Sequence, residues 1–101
     1  MGIVYLLHFE SKLHHAQHYL GYTADLEHRL QQHRLGRSGA GLVRAFFERE
    51  ITFVLAHTWE GSRALERHFK QHWHAGPRLC PLCNGGRERG KKVADRLREE
   101  L

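Results

Sequence analysis

The chain reads as a small α+β domain, a mainly antiparallel three-stranded sheet flanked by helices in the order β-β-α-α-β-α-α. Three observations point there. Two apolar, β-branched or aromatic runs, Ile3 to Phe9 and Gln17 to Tyr22, are separated by a short polar stretch, which is the pattern of a hairpin. Much later, Ile51 to His57 brings Ile, Thr, Phe and Val in close succession, the composition of a further strand. Other apolar residues recur at helical spacing, as in Leu65, Phe69 and Trp73. A hairpin joined by one later strand favours antiparallel pairing.

Each element has its own justification. Ile3 to Phe9 is apolar on both faces and too short for a helix, so it reads as a buried strand. Glu10 to Ala16 is polar enough to be the hairpin connection, and Gly21 marks a close backbone approach in the second strand. Thr23 is placed to cap a helix, with Asp25 and Glu27 in its first turn, where the helix dipole favours acids. That helix runs to about His33 and buries Leu26 and Leu30. Arg34 to Gly41 holds three glycines and a serine and is a loop. Leu42, Val43, Phe46 and Phe47 form a short second helix, and Glu60 to about Trp73 a third, ended by Gly76 and Pro77. Gly85 and Gly86 form a break before a last amphipathic helix, residues 87–101, which packs Val93, Leu97 and Leu101.

With 101 residues, the chain has room for one domain. A chain of this size hides only about 60–65% of its unfolded surface, so its aromatics must fill a thin core. Hydrophobic residues make up 41% of it, enough to fold and to exclude a disordered chain. No apolar run of about 18 residues occurs, so no membrane span is expected. The start of the chain has no signal-peptide pattern, and two cysteines make no disulfide framework, so a cytoplasmic protein is expected. The net charge is +5, and its location matters more than its size. Between His28 and Arg49, five arginines (29, 34, 37, 44 and 49) stand against a single acid, Glu48. The planar guanidinium suits phosphate oxygens. Among glycines, such a stretch favours a polyanion-binding surface over a merely solvated basic face.

Tyr5 and Tyr19 lie on the two arms of one hairpin, Arg29 on the helix leaving it, and Glu66 beside the buried stripe of the later helix. Two phenols, a guanidinium and a carboxylate suit phosphodiester cleavage. A carboxylate can hold a divalent ion, the ion and the arginine offset charge on phosphate, and a phenol can order or deprotonate water.

The same residues carry a resemblance. Ile3-Val4-Tyr5 and Tyr19-Leu20-Gly21 stand where the two name-giving tripeptides of the GIY-YIG nucleases would stand. The run from Tyr19 to Leu30 is similar to the family's YIG-x-T-x-DLxxRL segment. Gln32-His33 with the loop Gly36 to Ala40 resembles its QH and glycine-rich stretch. Ala64 to Lys70 resembles the metal-helix pattern ALExxIK, and Asn84 stands where an asparagine often follows a proline. Together these pieces cover about residues 2–84. One departure is that Ile3 occupies the first glycine of GIY unless Gly2 takes its role.

The resemblance implies an endonuclease acting on DNA, with RNA as an open alternative and little intrinsic sequence specificity. Tyr5 would act as general base or order the water, with Tyr19 as its hydrogen-bonding companion. Arg29 would stabilise the scissile phosphate, His33 would join the proton network or touch phosphate, and Asn84 would help orient the site. Glu66 would be the sole protein carboxylate on one Mg²⁺ or Mn²⁺. Arg34, Arg37, Ser38, Arg44 and Lys70 would bind the flanking backbone. Residues 1–84 are then the nuclease domain, and 85–101 a helix packed on or extending it, open to a protein partner or a second copy. The alternative from another class is a non-catalytic nucleic-acid-binding module of the same fold.

Plainer readings stand beside these. Tyr5 also suits a core position. Asp25 with Arg29, and Glu66 with Lys70, are i, i+4 pairs that could be surface ion pairs worth about 0.3–0.5 kcal/mol. Cys80-Pro81-Leu82-Cys83 has the spacing of a zinc site, with His72 and His74 as further donors. Those histidines point away from each other on a helix. Reduced thiols packing a loop are therefore the preferred reading, with structural zinc at Cys80 and Cys83 not expected.

Overall fold

Side chains along a strand alternate between two faces, and here a central strand has both faces covered. In the computed structural model, which describes residues 2–73 and 76–99, β1 (Gly2–Leu13) lies between β2 (Ala16–Thr23) and β3 (Phe53–Gly61). Both pairings are antiparallel. Val4 and Leu6 of β1 join Leu20, Trp59, Leu65, Phe69 and Leu79 on one face. Tyr5, Leu7 and Phe9 join Leu30, Val43 and Phe46 on the other. This explains why the first strand is apolar without alternation.

The helices follow in the expected order: α1 (Leu26–Arg34), α2 (Gly41–Glu48), α3 (Arg63–His72) and α4 (Lys91–Glu99). Several boundaries differ from the sequence reading. β1 continues past Phe9 to Leu13, so the hairpin connection shrinks to His14 and His15, with His14 in the left-handed region at φ 56°. Glu10, Ser11 and Lys12 are exposed strand residues, and an exposed polar strand has the composition of a loop. The cap of α1 is Asp25, not Thr23: the Asp25 carboxylate accepts from the His28 N–H at 3.1 Å. Thr23 ends β2, and its hydroxyl accepts from the Asp25 N–H. Of the four apolar residues expected to define α2, Val43 and Phe46 are buried, while Leu42 and Phe47 are exposed. Phe46 stacks on Phe9 with ring centroids 3.7 Å apart.

β3 runs on to Gly61 because residues 57–61 pair with Gly2 to Leu6. The register shifts between Leu6 and Leu7, leaving Ala56 as an extra residue on β3. α3 therefore starts later than Glu60, capped by the Ser62 hydroxyl, which accepts from the Ala64 N–H. α4 packs Ala94 into the first core with Val93 and Leu97 beside it, and the Trp59 indole donates to the Arg89 carbonyl at 3.1 Å. Leu101, expected on that helix, lies outside the described residues. No helix among the described residues is long and apolar enough to cross a membrane.

Candidate active site

Tyr5 sits in the middle of β1, fully buried, opposite Gly21 of β2. A Cβ on Gly21 would lie 2.4 Å from the Tyr5 Oη and 2.5 Å from its Cζ. The phenol thus lies across bare backbone, as the glycine suggested. Tyr19 is paired with Leu7, one position further along the same face. The two tyrosines are diagonal neighbours rather than direct partners, with ring centroids 6.2 Å apart.

α1 brings the next two groups. Its Asp25 cap and the buried Leu30 orient the helix so that His33 turns inward, only 1% exposed. The Tyr5 Oη and His33 Nε2 are 2.8 Å apart, and the His33 ring centroid is 5.6 Å from that of Tyr19. One turn earlier stands Arg29, half-buried and without an ion pair among the described residues. The Asp25 carboxylate is turned to the helix N-terminus and makes no ion pair with Arg29. Glu66 comes from the first turn of α3; its side chain is 16% exposed, and its Oε2 meets the Lys70 Nζ at 3.4 Å. The ion pair allowed by the spacing of Glu66 and Lys70 is thus present.

The electrostatics tie these groups together. Burial pushes the Tyr5 phenol above its ordinary range. Tyr19 adds to this, the Arg29 guanidinium opposes it, and the Glu66 carboxylate raises it a little further. His33 is pushed down to about 4, by burial first and then by Arg29. Both groups are therefore neutral near pH 7, and they share one hydrogen bond whose direction follows the imidazole tautomer. The other ring nitrogen, Nδ1, is buried and has no partner among the described residues.

Glu66 fits a hard divalent cation: it supplies one carboxylate, and no protein hydrogen bond or ion pair engages its second oxygen among the described residues. An ion held by so few protein donors would stay largely hydrated, as Mg²⁺ prefers.

Arg34, Arg37 and Arg44 are exposed, and the Lys70 side chain is 50% exposed. Arg34 lies over the Phe53 ring, 5.6 Å from its centroid. Ser38, expected on the same surface, is buried instead, with no partner for its hydroxyl among the described residues. Asn84 is not brought to Tyr5, Arg29, His33 or Glu66 by any hydrogen bond. Its amide donates to the Arg78 carbonyl at 3.2 Å, and its oxygen accepts from the Arg87 N–H at 2.9 Å, so it ties up its own loop.

The cysteines also meet different residues from those expected. His72 is exposed at the end of α3 beside His68, and His74 lies outside the described residues. Cys80 and Cys83 instead approach His8 and His18. The readable signal was a strand register in which one residue of each arm of the hairpin faces the other.

The family model described as the GIY-YIG catalytic domain matches residues 1–77. No curated protein and no solved structure matches the chain.

Proposed function

Because the chain belongs to the GIY-YIG family, a family of nucleases, we propose that it is a metal-dependent endonuclease that hydrolyses phosphodiester bonds in DNA with little intrinsic sequence specificity. The observation that carries this reading is the buried Tyr5 phenol, bonded to His33 at 2.8 Å and influenced by both the Arg29 cation and the Glu66 carboxylate.

In this reading Tyr5 gives its proton to His33 Nε2 and shares its oxygen lone pairs between the Arg29 guanidinium and water. Those lone pairs can accept a hydrogen bond from water and aim it at phosphorus. Burial disfavours a standing phenolate, so Tyr5 acts by orienting water, with His33 as the acceptor fixing the direction of its O–H. Arg29, which has no carboxylate partner among the described residues, offers its charge to the phosphate oxygens as negative charge builds there. Glu66 would hold the divalent ion, which, when bound, offsets charge on the phosphate and favours ionisation of water. The exposed arginines 34, 37 and 44 contact flanking phosphates, which positions the duplex without reading bases.

The test is nicking of supercoiled and branched DNA, with RNA in parallel, in Mg²⁺ and in EDTA. Glu66→Ala and Tyr5→Phe should each lower cleavage at least about 100-fold while salt-dependent DNA binding persists. A Glu66→Ala variant cutting at the wild-type rate would refute the metal role. Salt-dependent binding with no cleavage of any substrate would favour the binding-module reading.

A further inference from the structure

On the sheet face opposite Tyr5, four metal-ligating side chains converge from three parts of the chain. His8 of β1 and His18 of β2 are direct register partners, so both imidazoles stand on the same face. They meet with His8 Nδ1 and His18 Nε2 3.1 Å apart. Cys80 and Cys83 come from the loop after α3. There the N–H groups of Cys83 and Asn84 both donate to the Cys80 carbonyl at 3.1 Å, and the Gly86 N–H donates to the Pro81 carbonyl at 2.7 Å. This tight turn brings the two thiols to one side. Leu79 and Cys80 are fully buried, anchoring the loop to the core, and both cysteines are free thiols.

The four donor atoms all lie within 4.8 Å of one another. The Cys80 Sγ is 3.5 Å from His8 Nδ1; the Cys83 Sγ is 3.6 Å from His8 Nδ1 and 3.4 Å from His18 Nε2. A tetrahedral ion with bonds of about 2.3 Å to sulfur and about 2.05 Å to nitrogen requires edges of about 3.6 Å for sulfur–nitrogen and about 3.4 Å for nitrogen–nitrogen. The four edges quoted are within a few tenths of an ångström of these lengths, and the other two are no longer than 4.8 Å.

We infer that His8 Nδ1, His18 Nε2, Cys80 Sγ and Cys83 Sγ form a structural zinc site that clasps the hairpin to the loop following α3. Two thiolates balance the charge of Zn²⁺, so the partly buried centre is neutral overall. The mixed sulfur and nitrogen set in a tetrahedron selects zinc over the hard cations that suit a lone carboxylate. With all four positions taken by protein donors, no site is left for substrate, which makes the role structural. This site is separate from Glu66 and does not depend on the nuclease reading.

The experiment uses the full chain purified with Zn²⁺ in the medium, its metal content measured after gel filtration. The expected result is about one zinc per chain, kept in Glu66→Ala and lost in Cys83→Ser and His18→Ala. Replacement by Co²⁺ should give the visible bands of a tetrahedral ion and a near-ultraviolet thiolate charge-transfer band. Stripping zinc from the wild-type chain should lower its melting temperature by roughly 10 °C or more, reversed by adding zinc back. The wild-type Co²⁺ spectrum and the chelation shift remain informative if a variant fails to fold. A chain that purifies without zinc, gives no tetrahedral Co²⁺ spectrum and melts identically with and without zinc would overturn the proposal. Zinc retained in both His8→Ala and His18→Ala would overturn this ligand set.

Discussion

Replacing Gly21 with alanine tests whether a bare backbone position sets the place of the Tyr5 phenol. Gly21 is not among the glycines with positive φ, so alanine suits its backbone and is no poorer a strand residue. The obstacle is contact alone. A Cβ there would stand 2.4 Å from the Tyr5 Oη and 2.9 Å from the Tyr19 Cε2, where ordinary contact begins at 3.4 Å. The phenol or the strand must therefore move by about 1 Å. Tyr5 has no exposed surface. Such overpacking costs about 1–3 kcal/mol, or a fall in melting temperature of roughly 5–20 °C in a domain this small. A withdrawal of that size also stretches the 2.8 Å bond to His33. Misplacing a reacting group by about 1 Å lowers activity on the order of 100-fold. The assay is the initial rate of plasmid nicking in Mg²⁺, beside a thermal melt. Gly39→Ala is the control, since nothing lies within 4 Å of its added Cβ. A Gly21→Ala protein that cuts and melts like the wild type would show that the phenol is not placed by this contact.

Two other outcomes follow from the same geometry. His33 titrates near 4 in the folded protein and near its ordinary 6.5 when unfolded, so the unfolded chain binds the extra proton between those values. The stability it contributes is fully present above about pH 6.5 and is lost as pH falls towards 4, at most about 3 kcal/mol. Denaturant unfolding at several pH values should show a shallower acid loss in His33→Gln, and an equal slope in both proteins would contradict the depressed titration. Asp25→Ala removes the cap of the helix carrying Arg29 and His33 and should cost about 1 kcal/mol in urea unfolding, with an unchanged midpoint arguing against the cap.

Much of this architecture was legible before any coordinates. The hairpin, the helical stripe of Leu65 and Phe69, and the close approach at Gly21 all rest on local pattern, and local pattern survives folding here. Boundaries were less legible because exposed strand residues such as Glu10 to Lys12 carry loop chemistry, and because Thr23 and Asp25 both offer a capping oxygen. The structure gathers Tyr5, Tyr19 and His33, with Arg29 and Glu66 acting on the same phenol, but it commits Asn84 to its own turn. The partners of Cys80 escaped because 72 positions separate it from His8. No spacing rule reaches that far: the strand register pairs His8 with His18, and only the packing of the loop after α3 brings Cys80 to them.

Consecutive positions of β1 serve unrelated tasks: Tyr5 and Leu7 look towards α1 and α2, while Leu6 and His8 look towards the loop that carries the thiols. A single inserted or deleted residue within this stretch would turn the remainder of the strand over, exchanging phenol side for thiol side at one stroke. The span from Tyr5 to His8 is therefore intolerant of length change, whereas the exposed tip around His14 and His15 has slack. Drift in this chain has room at the end of the hairpin and almost none along its middle.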